Sequence, residues 1–211
     1  VSRLNKDGKL TESVVSVREV NLAGIPDSQR NWVTSTFIYT HGIGLVASDD
    51  NAVTVDGQPA FFESDVPPSG ALNIKQPRIY FGEQSPAYSI VGAPEGATPK
   101  ELDYPDDSKA SGQQNNTYDG KGGVSLGSAL NRMLFAARFG EQNILLSNSI
   151  TSASRILYVR EPRTRVEKAA PWLTVDSDAY PVVVNGRILW VLDGYTTTSN
   201  YPYAQHTSLS E

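Results

Sequence analysis

The stretch Tyr180-Pro181-Val182-Val183-Val184-Asn185-Gly186-Arg187-Ile188-Leu189-Trp190-Val191-Leu192 decides the fold class. Two β-branched and aromatic runs flank Asn185-Gly186, the dipeptide that most readily supplies the two positive φ angles of a primed turn, so the segment reads as an antiparallel hairpin. Working outward, Asp7-Gly8 followed by the alternating residues 11–20 predicts a second hairpin near the N-terminus. Arg78-Ile79-Tyr80-Phe81 and Tyr88-Ser89-Ile90-Val91 read as two central strands paired through residues 82–86, and Ile156-Leu157-Tyr158-Val159 as a further strand.

Between these strands the signals change period. Residues 26–32 begin with Pro and acid and predict a short helical turn, followed by a strand-like stretch over 36–46 in which Gly42 and Gly44 mark a bulge or a close backbone approach. Asp49-Asp50-Asn51 and Asp56-Gly57 read as turns. Pro67-Pro68-Ser69-Gly70 closes that unit, and a boundary between two intimate lobes of a single domain, 1–211, would fall there. Residues 93–123, rich in Pro, Gly, Asn and Asp, read as a long polar loop. The best helix covers 125–139, with Leu126, Leu130, Met133, Leu134 and Ala137 on one face and Gly140 as its stop. Residues 142–150 add a helical turn, and 162–168 form a short helix that ends before Pro171. The expectation is an α+β fold: mostly antiparallel strands, one amphipathic helix and a few short helices.

Composition narrows the function classes. The 211 residues carry 18 basic and 23 acidic side chains, a formal net charge of −5, with no dense basic stripe. Nucleic acid is excluded as an expected partner because the phosphate-neutralising term is missing. Zero cysteines exclude a disulfide framework and a thiolate metal site. No apolar run reaches the roughly 20 residues of a membrane helix.

Four constellations could carry chemistry. His41 and His206 are the only histidines, and without a Gly-x-Ser-x-Gly elbow His41 reads as a hydrogen-bonded residue at a strand end. Asp176 and Asp178 stand two apart on extended chain, with Asp193 at the end of the C-terminal hairpin. Together they could hold a divalent cation or act as an acid and base pair, while turn capping explains the same residues. No other cofactor is expected. Gly120-Lys121-Gly122-Gly123 runs into the best helix and is a candidate anion-binding loop, with close loop packing as the rival reading. Tyr195, Tyr201 and Tyr203 could stack on a ligand ring, whereas core packing accounts for Trp172 and Trp190.

Several segments together carry a resemblance. They include Gln29-Arg30-Asn31-Trp32-Val33, Gln76-Pro77-Arg78-Ile79-Tyr80-Phe81-Gly82, Tyr118-Asp119-Gly120-Lys121-Gly122-Gly123-Val124, Pro171-Trp172-Leu173-Thr174-Val175-Asp176-Ser177-Asp178 and Trp190-Val191-Leu192-Asp193-Gly194-Tyr195. The chain resembles an uncharacterised family of large multi-pass membrane proteins found mainly in actinobacteria and cyanobacteria, and only residues 94–116 depart freely. The resemblance implies an address: a soluble extracytoplasmic region at the plasma membrane, partnered by the remainder of its own protein. It carries over no catalytic residues. The expected function is a non-enzymatic extracytoplasmic module that binds a cell-envelope component or organises the parent protein. The alternative is a cation-assisted hydrolase of envelope glycan or phosphate esters acting through Asp176, Asp178 and Asp193.

Overall fold

The computed structural model describes residues 2–6 and 8–198, and the chain is α+β with mostly antiparallel strands. β1 (Ser2–Lys6) and β2 (Lys9–Val17) form the N-terminal hairpin, with Lys6 opposite Lys9. After a π-helical turn at Thr34–Ile38 come β3 (Gly42–Ile43), β4 (Leu45–Val53), β5 (Pro59–Ser64) and β6 (Ser69–Gly70). The order β1-β2-β4-β5-β6 makes one five-stranded sheet. Next are β7 (Arg78–Ile79), β8 (Tyr88–Val91), β9 (Glu101–Pro105), β10 (Gln113–Asn116) and β11 (Val124–Ser125). α1 (Ala129–Phe139) and α2 (Asn143–Leu146) lead to β12 (Arg155–Tyr158) and α3 (Pro162–Ala169). β13 (Thr174–Val175), the hairpin β14 (Tyr180–Val184) with β15 (Arg187–Val191), and β16 (Gly194–Tyr195) complete the described chain.

The C-terminal hairpin forms as its turn chemistry dictates, with Asn185 at φ 53° and Gly186 at φ 76°. Gly186 also docks the hairpin: its carbonyl accepts from the amides of Lys75 at 2.8 Å and Gln76 at 3.0 Å. A Cβ there would lie 2.9 Å from the Lys75 side chain, so the approach requires glycine. This contact sets β15 beside the residues that lead into β7.

Elsewhere tertiary pairing overrides local signals. The strands at 78–79 and 88–91 do not pair with each other: β7 pairs with β3, Ile79 opposite Gly42, and β8 pairs with β12, Ile90 opposite Ile156. β12 takes the centre of its three-stranded sheet and β8 an edge, although Ser89, Ile90 and Val91 of β8 are as buried as Ile156 and Leu157 of β12. Gly42 permits the β3 arrangement, since a Cβ would lie 2.1 Å from the Arg18 carbonyl. Residues 34–38 are helical rather than extended. Asn31 Oδ1 accepts from the Thr34 amide at 3.0 Å and Thr34 Oγ1 from the Asn31 amide at 2.9 Å, a reciprocal start that turns Phe37 into the core. Asp49-Asp50-Asn51 belongs to β4 rather than to a turn, Asp49 standing opposite Ser13 in the ladder, whereas the turn expected at Asp56-Gly57 forms within 54–58. The segment 93–123 is not a continuous loop, because it contains the antiparallel pair β9 and β10.

The main helix is oriented opposite to its aliphatic stripe. Ser128 caps it by accepting from the Asn131 amide, and Gly140 ends it at φ 63°. Phe135, Ala136 and Phe139 face the core with Ile90, Ile144 and Ile156, whereas Leu130, Met133 and Leu134 are 58, 53 and 57% exposed. Leu126 is buried but precedes the helix. Aromatic packing decides the orientation: Phe139 lies 4.4 Å from the Tyr88 ring and Phe135 5.2 Å from Tyr158. Arg132 holds it by donating to the carbonyls of Leu126 at 2.8 Å and Ile150 at 3.0 Å.

Candidate functional site

The alternation Glu101-Leu102-Asp103-Tyr104 on β9 turns two carboxylates to one buried face of the strand. Glu101 accepts from Thr40 Oγ1 at 2.9 Å and the Tyr80 hydroxyl at 2.7 Å through one oxygen. Its other oxygen accepts from the amides of Gly92 at 3.3 Å and Tyr118 at 2.8 Å. Asp103 receives Arg78 through two bonds, Nε to Oδ1 at 2.9 Å and Nη2 to Oδ2 at 2.6 Å. His41, just before β3, has both ring nitrogens engaged, Nδ1 with Thr40 Oγ1 at 2.9 Å and Nε2 with Asp103 Oδ1 at 3.2 Å. Buried charges persist where every partner is present, and here the partners come from β9, β7 and the entry to β3.

Arg160 closes the network from below. It is 2% exposed and donates to the Tyr80 carbonyl at 2.8 Å, Ser89 Oγ at 2.6 Å and the Thr40 carbonyl at 2.5 Å. Burial pushes its guanidinium down to about 10, countered by the nearby Tyr80, Glu19 and Glu101, so it stays charged at neutral pH. Burial works against the Asp103 charge, yet the bonds and charges of His41 and Arg78 override it and hold the carboxyl below its ordinary value. Arg78 is likewise held above its ordinary value, burial being outweighed by the Asp103 bond and charge. Burial and then the Glu101 charge raise the Tyr80 hydroxyl far above its usual range, so it remains a donor.

Above this sealed layer lies a cleft of about 670 Å³ between the loop at 118–121 and the β14–β15 hairpin. Its walls include Phe81, Tyr118 and Trp190, its cations are Arg78, Lys121 and Arg187, and one acid, Asp119, lines it beside them, its charge acting on Arg78. Trp190 is fixed by donating Nε1 to the Phe81 carbonyl at 2.8 Å, and Tyr118 packs edge-on against Tyr80 at 4.7 Å. The Lys121 and Arg187 side chains have no ion-pair partner among the described residues. The cleft therefore offers flat apolar faces and cationic donors at fixed positions, with His41 sealed beneath and out of reach.

The residues singled out from sequence are distributed differently. Asp176 Oδ1 accepts from the Asp178 amide at 2.9 Å, and the Asp176 amide donates to the Asp193 carbonyl at 2.9 Å, so this trio serves a turn and the β13–β16 pairing. Among the described residues no group of three or more His, Asp or Glu side chains is placed to hold a metal ion, so Asp176, Asp178 and Asp193 are not gathered into a cation site. In the loop Gly120-Lys121-Gly122-Gly123 the carbonyls are the organised groups: Arg155 donates to those of Gly122 and Gly123, each at 2.8 Å, and Lys121 at 3.2 Å. That polarity is opposite to an amide cradle for anions. Gly120 is needed because a Cβ would lie 2.4 Å from the Tyr118 ring. Tyr195 is exposed on β16, while Tyr201 and Tyr203 lie outside the described residues. Trp172, expected in the core, is 72% exposed. Glu101, Asp103, Arg78 and Arg160 were not singled out from the sequence; the period-two spacing of the first two was the available signal.

These features define an α+β unit with a sealed ionic core beneath an aromatic, cation-lined cleft. The chain belongs to the uncharacterised protein family UPF0182, whose family model matches residues 1–211. It is 53% identical over 205 residues to a UPF0182 protein of Kineococcus radiotolerans, covering 97% of this chain and 20% of the relative. A UPF0182 protein of Streptomyces coelicolor is 50% identical over 211 residues, 100% of this chain and 20% of that protein. One of Tropheryma whipplei is 48% identical over 210 residues, 100% of this chain and 22% of that protein. The chain thus spans about a fifth of the length of these relatives. No solved structure matches it. Among the described residues no helix is long and apolar enough to cross a membrane.

Proposed function

We propose that this chain is a non-enzymatic, extracytoplasmic binding module of a longer membrane-anchored protein, and that the cleft takes a ring-bearing, acidic component of the cell envelope. The observation that carries the reading is the cleft itself: Phe81, Tyr118 and Trp190 offer flat faces suited to sugar rings, and Lys121 and Arg187 offer unpaired positive charge. The sealed layer beneath supports binding over catalysis, because the histidine and both carboxylates are consumed by internal bonds. The remainder of the parent polypeptide is the partner in cis, a reading supported by the one-fifth coverage and by the exposed Leu130, Met133 and Leu134.

The test titrates the 211-residue chain with soluble acidic and neutral oligosaccharide fragments of the envelope by calorimetry. The acidic fragments bind, and Lys121→Ser and Arg187→Ser each weaken binding about tenfold, as loss of one charge-assisted bond implies. Equal affinity in the double variant, or turnover of the glycan, would sink the reading. For the partner in cis, Met133→Cys is labelled by a maleimide in the 211-residue chain and shielded in the full-length protein; equal labelling in both rejects it.

A further inference from the structure

A second groove, of about 790 Å³, opens on the other side of Phe81, between the last turn of α1 and α3. Its polar rim is Arg138, Arg165 and Lys168, and its floor is apolar: Phe81, Val124 and Tyr158. Among the described residues no acidic side chain lines it, although the chain as a whole carries a net charge of −5. The acids nearest in sequence are committed elsewhere: Glu167 bonds Arg163 at 3.0 Å, and Glu161 caps α3 by accepting from the amides of Arg163 and Thr164. None of the three cations has an ion-pair partner among the described residues.

The guanidinium groups are pre-oriented. Arg165 lies 4.3 Å over the Phe81 ring and donates Nη1 to the Val159 carbonyl at 3.1 Å, and Arg138 stands 5.3 Å over Tyr158. The carbonyl that anchors Arg165 is held by a strained backbone. Val159 has φ 50°, a left-handed conformation that a β-branched residue rarely adopts. A fold that maintains such strain to aim an arginine across an apolar floor has the character of a ligand site.

We infer that this groove binds an organic phosphate monoester, with the phosphate between Arg138, Arg165 and Lys168 and the apolar part against Val124, Val166 and Ala169, the lining that the two arginines leave uncovered. A monoester dianion matches three cations better than a carboxylate does, and its oxygens accept from two guanidinium forks and an ammonium at once. The headgroup of an anionic lipid and a soluble phosphate ester share this chemistry.

The test measures binding of phenyl phosphate and of inorganic phosphate to the 211-residue chain by two-dimensional NMR, and of the chain to phosphatidylcholine vesicles with and without phosphatidic acid by flotation. Phenyl phosphate saturates the groove more tightly than inorganic phosphate, and its affinity falls as salt is raised. Arg138→Gln with Lys168→Gln, neither of which makes a hydrogen bond that supports the fold, weakens it at least about tenfold with an unchanged melting temperature. Flotation only with phosphatidic acid makes a lipid headgroup the source, and binding of phenyl phosphate without flotation makes it a soluble ester; both support the site. Absence of saturable binding by phenyl phosphate, or equal affinity in the double variant, overturns it. Lys121→Ser and Arg187→Ser leave this binding intact, so failure here and failure of the cleft are separable.

Discussion

Asp103 grips Arg78 with both carboxylate oxygens, at 2.9 and 2.6 Å, so a nearly sealed acid on β9 fixes a cation that reaches the cleft from β7. Removing Arg78 leaves the buried Asp103 with His41 as its one remaining side-chain partner among the described residues. Arg78→Met is expected to cost about 3–5 kcal/mol in urea unfolding, and the Arg78→Met, Asp103→Asn cycle to show coupling above about 1 kcal/mol. Additive losses would show that the fork is incidental.

The acid limb of the stability curve separates two carboxylates of opposite sign. Asp103, held below its ordinary value of 3.8, contributes stability present above that pH and lost as pH falls through its folded value. Glu63 is raised above 4.5, first by burial and then by Asp65, against the bond from the Leu72 amide. It carries a penalty at neutral pH that is relieved as pH falls toward 4.5. Thermal melts between about pH 7 and pH 3 should therefore show Asp103→Asn flattening the loss below pH 4, and Glu63→Gln removing a gain above it. The same change in slope for both variants would contradict the assignment.

The outward face of α1 gives a direct test of its orientation. Leu130→Gln and Leu134→Gln should change stability by less than about 0.5 kcal/mol, as exposed substitutions do. Leu126→Ala and Phe135→Ala should each cost about 2–5 kcal/mol. A reversed ranking would mean that the aliphatic stripe packs inward after all.

Asp176 is a turn residue in this fold. Asp176→Ala should cost about 1 kcal/mol through loss of the bond from the Asp178 amide. The melting temperature of the unaltered chain should be the same in chelator as in calcium, magnesium or zinc. A metal-dependent rise abolished by Asp176→Ala would reinstate the cation site.

Local chemistry made parts of this fold legible. Asn185-Gly186 and Asp7-Gly8 announce hairpins because few dipeptides accept two positive φ angles, and Ser128 and Gly140 bound a helix for equally local reasons. Strand partners were not legible, since Ile90 faces Ile156 across 66 residues and nothing in either run names the other. The candidate site illustrates the difference most sharply. Two carboxylates two apart on extended chain do share a face, but the pair that matters is Glu101 and Asp103, inside a stretch whose polarity reads as loop. Polarity marks solvent only when partners are absent, and here Thr40, His41, Arg78 and Tyr80 arrive from distant segments.

Arg160 bonds to Ser89, Tyr80 and Thr40, positions 71, 80 and 120 residues earlier in the chain. During synthesis those acceptors emerge long before their donor, and each must remain hydrated or mispaired until residue 160 has left the ribosome. The three Arg160 bonds therefore close loops of 71, 80 and 120 residues, and none of them can form until Arg160 itself is available.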